Sequence, residues 1–313
     1  MPMHAIKYSN HVDVAEYASA HDLGNEPAFT WWIPEILRQR NRIISKLRTN
    51  RKVRKNIKFG VEIPVDIEQA RHFDRINHND LWEKALIKEI SKVRVAFELL
   101  ENHSQPLPGS KHINYHVIFD VKHDLTRKAR LVAGGHLNKT VPSYITYSSI
   151  VTKESVRLCF LLAALNDLDV VIGDISNAYL NAKPREKCFV TIIDSYLFGP
   201  SAIGKKALIV RALYGMKSSD AAWRKLFASV LHNHLKFDNF MADHDVWLKP
   251  DVDKEGKKYY SYICIYVDDV LIASKEPHTY MDLVKDQFSV KPESIESPKM
   301  YLGMNCKLNP EGN

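Results

Sequence analysis

Two adjacent carboxylates, Asp268 and Asp269, interrupt the most apolar stretch of the chain, with Ile263-Cys264-Ile265-Tyr266-Val267 before them and Val270-Leu271-Ile272-Ala273 after. Burying an ionised carboxylate is costly unless it is paired or bound to a cation. Two side by side also repel, so one must be neutralised or a cation must sit between them. The flanking runs read as strands Tyr259–Val267 and Val270–Ser274 of a hairpin. Successive strand residues point to opposite faces, and only a turn lets both carboxylates serve one site. The placement predicts a divalent-metal centre.

A third carboxylate completes such a centre. Asp174 is the candidate, closing the buried strand Asp169–Ile175. Its alternative role is to cap the turn that follows. Magnesium takes hard oxygen ligands and few carboxylates, leaving coordination positions for phosphate oxygens. Nucleotidyl transfer uses two such ions about 4 Å apart.

Around this centre the chain mixes periods. Helical spacing marks Ala28 to about Arg48, Leu81 to about Leu100 with Asn79-Asp80 as its cap, Ser155–Asn166, Ser218–Leu235 and His278–Phe288. Alternation marks strands at Tyr115–Val121 and Ala129–Ala133, paired antiparallel, and at Cys188–Ile193, Leu208–Val210 and Met300–Leu308. Helix with mainly antiparallel strand gives an α+β fold.

The net charge of +7 is local. Arg38 to Lys58 holds ten Lys/Arg and no acid, and the remainder carries 34 basic against 37 acidic residues. Arg48, Arg51, Lys52, Arg54 and Lys55 form the densest part, a candidate nucleic-acid patch. A solvated face is the alternative. The longest apolar runs fall short of the roughly 18 residues of a membrane span, and the start, Met1-Pro2-Met3-His4, has no secretory pattern. Cys159, Cys188, Cys264 and Cys306 fit no zinc spacing and read as reduced thiols of an intracellular protein.

Other motifs carry less. Gly199 to Lys206 nearly spells a phosphate-binding loop but lacks the hydroxyl residue after its lysine, and a strand rather than a helix follows. His112, His116, His123, His232 and His234 lack metal-ligand spacing. The Trp31-Trp32 pair reads as a core anchor rather than a base-stacking platform.

Tyr266-Val267-Asp268-Asp269 resembles the catalytic hairpin of reverse transcriptases. Further blocks resemble the copia family of long-terminal-repeat retrotransposons: Arg127–Gly135, Asp174–Ala182, Ala212–Lys217 with Trp223 downstream, and Tyr301-Leu302-Gly303. The resemblance implies a right-hand polymerase. Its palm would be an antiparallel sheet with helices packed on one face, joined to fingers. Residues 1–78 would be a helical and basic segment upstream. Fingers would take 79–165. The palm would take 166–306, with finger elements interleaved near 185–220, and 307–313 would begin a thumb.

By the same resemblance Asp174, Asp268 and Asp269 hold two Mg²⁺ ions, with Mn²⁺ as a substitute. Lys128 and Arg130 clamp the triphosphate, and Tyr179 lies under the incoming sugar and excludes a 2′-hydroxyl. Gly215 lets backbone approach the nucleotide or template, and Tyr301, Leu302 and Gly303 grip the primer. The implied partners are an RNA or DNA template-primer, dNTPs and the rest of a polyprotein (RNase H, integrase). The implied location is a cytoplasmic virus-like particle or the nucleus. Ser218-Ser219-Asp220 depart from the family's Gln-Ala-Pro, which leaves the template contact there open. The chain stops just past the primer block, as a truncated polyprotein segment would, so the alternative reading is a catalytically silent nucleic-acid-binding remnant.

Overall fold

The computed structural model of the chain describes residues 56–101, 104–106, 108–135 and 146–307. The chain divides into Met1–Ile57 and Lys58–Asn313, and the elements numbered below belong to the second unit. The expected helix at Ala28–Arg48, Trp31-Trp32 and the basic residues Arg48, Arg51, Lys52, Arg54 and Lys55 lie outside the described residues.

After a short two-stranded sheet, Ile57–Lys58 with Val61–Glu62, come helices α1 (Ile67–Ile76) and α2 (Leu81–Val93). Asp66 caps α1, accepting from the Gln69 N–H at 2.8 Å. Asp80 makes no side-chain cap for α2. The buried Asp74 of α1 does so instead, accepting from the backbone N–H groups of Trp82 (3.1 Å) and Glu83 (2.9 Å). This satisfies two orphan donors at the helix start and locks the pair of helices together. The expected helix to Leu100 ends early: Arg94–Ala96 is a 3₁₀ turn, and Phe97–Leu99 is strand β1. Phe97 keeps the helical spacing, yet its ring is buried on a sheet.

Strand β1, β2 (Lys111–His112), β6 (Cys188–Thr191) and β7 (Lys206–Ile209) form a four-stranded sheet in the order β1-β7-β6-β2, with only β2–β6 parallel. Residues 192–205 connect β6 to β7, and their 199–205 portion is turns and a 3₁₀ turn, not a phosphate loop leading to a helix. Between β2 and β6 come the antiparallel hairpin β3 (Tyr115–Val121) and β4 (Arg127–Ala133), helix α3 (Lys153–Leu165) and strand β5 (Asp169–Asp174). Alternate residues of β3 are buried against α1 and α2 in one core, where Trp82 meets Phe119 edge-on at 5.6 Å.

The second sheet carries the acidic hairpin. Helix α4 (Ser219–Asn233) leads to β8 (Asp238–Asn239), β9 (Val246–Val252), β10 (Lys258–Tyr266) and β11 (Asp269–Ser274). The strand order is β8-β9-β10-β11-β5, antiparallel throughout. Helix α5 (Pro277–Gln287) follows, then the short pair β12 (Met300–Tyr301) and β13 (Met304–Asn305). The single expected strand Met300–Leu308 is therefore a hairpin, because Leu302 and Gly303 both take positive φ (+47° and +76°) and reverse the chain.

Strand alternation assigns the two sheet faces. Ile263, Ile265, Val270 and Ile272 pack with Trp223 and Phe227 of α4 and Met281 of α5. Cys264, Leu271 and Ala273 pack with Val156 and Cys159 of α3 and with Tyr301. Helices thus cover both faces, which corrects the expected sheet with helices on one face. β10 and β11 are apolar on both sides and need cover on both. Among the described residues no helix is long and apolar enough to cross a membrane, and all four cysteines are free thiols.

Candidate functional site

The β10–β11 hairpin closes with Tyr266 opposite Asp269, leaving Val267 and Asp268 as a two-residue turn. Val267 has φ +57° and Asp268 does not share the positive φ, the II′ pattern that normally favours glycine first. A β-branched residue there is strained. The turn is held from outside: the Trp223 indole N–H donates to the Val267 carbonyl at 2.7 Å, and the Ile175 N–H donates to the Asp268 carbonyl at 2.8 Å.

Asp269 opens β11 directly across from Asp174, the last residue of β5. Cross-strand partners share a face and hold their Cβ atoms about 5 Å apart. By alternation that is the face of Ile172, Leu271 and Ala273, where Tyr301 also lies. The carboxylates behave as a crowded acidic group. Asp269 is pushed up to about 6, first by burial, then by the charges of Asp268 and Asp174, with Lys291 pulling back. Burial and Asp174 also raise Asp268, opposed by Lys291 and Arg130.

Asp174 shows what is unsatisfied here. One oxygen, Oδ2, pairs with the Lys291 ammonium. The other, Oδ1, is buried with no partner. Lys291 arrives on the extended chain after α5, which runs along the edge of β5 with bridges Ile175–Val290 and Ile172–Glu296. Its N–H also donates to the Asp174 carbonyl at 3.0 Å, and Ser294 Oγ accepts from the Asp174 N–H at 2.8 Å.

A cationic wall faces the acids. Arg130 on β4 lies with its guanidinium 4.2 Å from the centre of the Tyr214 ring and lowers the Asp268 carboxyl. Lys128 is depressed by burial, then by the charges of Arg130, Lys122 and Lys291. Beneath the strand, Glu89 accepts from the Leu131 N–H at 3.1 Å, which fixes β4 on α2. Tyr214 in turn meets Tyr179 edge-on at 4.9 Å. Tyr179 sits in the 3₁₀ turn Ala178–Asn181, and its hydroxyl donates to Asp220 in the first turn of α4. Burial foremost, then Asp220 and more weakly Asp268, raise the Tyr179 phenol.

Of the divergent triplet, Ser218 and Ser219 are buried and bonded inward. Ser218 N–H donates to Glu186 at 2.8 Å, and Ser219 Oγ donates to the Leu213 carbonyl at 2.6 Å. Gly215 has φ +85°, and a Cβ there would collide with the Ala133 carbonyl oxygen and with Val132 Cγ1. Its close approach is to the end of β4. Tyr301 is buried with its hydroxyl unpartnered, and the Asp269 charge is felt there, while Leu302 and Gly303 form the adjoining turn.

The sequence-derived residues Asp174, Asp268, Asp269, Arg130, Lys128 and Tyr179 are therefore mutually coupled, with Tyr301 against Asp269. Lys291, Tyr214 and Asp220 complete the arrangement and were missed. Tyr214 lies inside the block Ala212–Lys217 and Asp220 inside the departure Ser218-Ser219-Asp220, neither with this role assigned, and nothing local marks Lys291. The donor set is hard oxygen and suits Mg²⁺, and the buried, unpartnered Asp174 Oδ1 is a ligand atom of that kind. Yet no three acidic, histidine or cysteine groups among the described residues are gathered closely enough to hold an ion as they stand.

The family described as Reverse transcriptase (RNA-dependent DNA polymerase) matches residues 96–312. A curated relative, the Retrovirus-related Pol polyprotein from transposon RE1 of Arabidopsis thaliana, is 26% identical over 277 residues. That alignment covers 83% of this chain and 18% of the relative, so the chain spans under a fifth of that polyprotein's length.

Proposed function

The chain belongs to the reverse transcriptase (RNA-dependent DNA polymerase) family, and on that premise we propose that it adds deoxynucleotides to a primer 3′-hydroxyl on an RNA or DNA template, as part of a copia-type retrotransposon polyprotein. The observation that carries this is the register of Asp269 against Asp174 with Asp268 in the adjoining turn. Asp174, Asp268 and Asp269 would hold two Mg²⁺ ions, which supply activation of the attacking oxygen and neutralisation of the triphosphate.

The chain's own residues do the rest by positioning and charge. Arg130, backed by Tyr214, offers a planar fork matched to phosphate oxygens, and Lys128 adds a second positive charge. Tyr179 stands as a wall under the sugar, where a packed ring rejects an added hydroxyl. The turn Tyr301-Leu302-Gly303 lies on the acidic face and would steady the primer end. Gly215 seats Tyr214 against β4 and so sets the depth of the clamp. The residue run from Arg48 to Lys55 would bind template-primer backbone. RNase H and integrase activities would come from the remainder of the polyprotein, in a cytoplasmic particle or the nucleus.

Primer extension on an RNA template tests the reading. Asp268→Asn should lower incorporation by about 10²-fold or more, with Mn²⁺ able to replace Mg²⁺. Extension by Asp268→Asn at the parent rate would remove the metal assignment.

A second reading has one observation in its favour: the Lys291 ammonium already engages one oxygen of Asp174. A chain that kept this pair in the presence of Mg²⁺ and dNTP would be a silent nucleic-acid-binding remnant. Filter binding of a primer–template without extension in either metal would favour it.

A further inference from the structure

Asp220 is the one exposed residue of the triplet 218–220. It occupies the first turn of α4, a rigid 15-residue helix whose N-terminus favours a carboxylate. Its Oδ1 accepts the hydrogen bond that the Tyr179 hydroxyl donates. The Tyr179 ring is thus held at two points: by its hydroxyl on Asp220 and by its face and edge against Tyr214, 4.9 Å away. Tyr214 itself lies under Arg130. A tyrosine ring otherwise turns about χ1 and χ2, and a wall that turns aside yields space.

Resting on the reading of Tyr179 as the sugar wall, we propose that Asp220 is a positioning residue for nucleotide sugar selection: it pins the Tyr179 ring so that the ring cannot swing away from a 2′-hydroxyl. Tyr179 alone would supply bulk. Asp220 supplies its fixed direction, and the pair would act as one unit rather than as two independent contributors. Ser218 and Ser219 have no part in this, since both bond inward to Glu186 and Leu213.

Single-nucleotide incorporation gives the test, read as the ratio of kcat/KM for a dNTP over the matching rNTP. Asp220→Ala should lower this ratio about two- to tenfold, the range of one net hydrogen bond, through a KM for the rNTP that falls relative to that for the dNTP. Asp220→Asn keeps an acceptor and should retain the ratio within about twofold. Tyr179→Phe should match Asp220→Ala, and the double variant should fall no further than either, because both remove the same contact. On a protein that binds but does not extend, the same ratio is read from Kd values for dATP and ATP on dideoxy-terminated primer–template. An unchanged ratio in Asp220→Ala while Tyr179→Ala collapses it would overturn the role of Asp220 alone. Losses that multiply in the double variant would do the same. No change in Tyr179→Ala would overturn the sugar-wall reading itself, and the Asp220 proposal with it.

Discussion

At the scale of single residues, the acidic group stores free energy that a cation or proton releases. Asp269 titrates near 6 in the fold against an ordinary 3.8. Between those values the native state holds more protons than the unfolded chain, so this group's contribution to stability is fullest below about pH 4 and is lost as pH rises through about 6. Asp268 shifts in the same direction. In EDTA at pH 7.5, Asp269→Asn should therefore be more stable than the parent by about 1–2 kcal/mol, after discounting for partial solvent screening. Urea denaturation at pH 4.5 and 7.5 checks it. The gain should shrink at the lower pH, and an equal gain at both would refute the titration. Asp174, Asp268 and Asp269 were legible in sequence because a carboxylate within an apolar strand needs a reason. Lys291 and Asp220 were not, since each is an ordinary surface residue type until the chain path sets it beside Asp174 or Tyr179.

At the scale of elements, the site depends on how the hairpin β3–β4 docks on the loop before α4. Ala133 donates its N–H to the Tyr214 carbonyl at 2.7 Å, and Gly215 closes against the same strand end. Gly215→Ala meets both a steric clash and a left-handed backbone, and should cost about 2–4 kcal/mol. A fall in urea midpoint measures this, and loss of triphosphate affinity should accompany it, because Tyr214 carries Arg130. Gly135→Ala faces the Gly215 carbonyl oxygen at 2.6 Å and should act alike. Strands β5, β10 and β11 were readable as apolar runs, and α3, α4 and α5 by period, within a few residues. Helix α1 and strand β9 were not. Helix α1 spreads its apolar residues thinly among charges, as in Ile67-Glu68-Gln69-Ala70-Arg71-His72-Phe73, and β9 is broken by Lys249, Pro250 and Asp251. In β9 pairing with β10, not composition, makes the strand.

At the scale of the whole chain, the proposed function makes charge the link between the acidic centre and a polyanionic template-primer. Net repulsion from the carboxylates has to be overcome by basic residues elsewhere, and the run around Arg48 to Lys55 is the densest supply in the sequence. Template-primer binding should weaken steeply with salt. Changing Arg51, Lys52, Arg54 and Lys55 to Ala should reduce the log–log slope by up to about 3–4, measured by filter binding from 50 to 200 mM salt. An unaltered slope would make the run a solvated face. The overall α+β class was legible, but the cover on both sheet faces was not, because alternation is lost where both sides of a strand are apolar. The register of β11 on β5 has one more consequence. Because adjacent residues face opposite ways, gaining or losing one codon within either strand would turn its carboxylate through the sheet. Insertions in the 199–205 connection would leave that register untouched. On the proposed reading, single in-frame indels in β5 or β11 should therefore abolish polymerase activity where insertions in the loops do not.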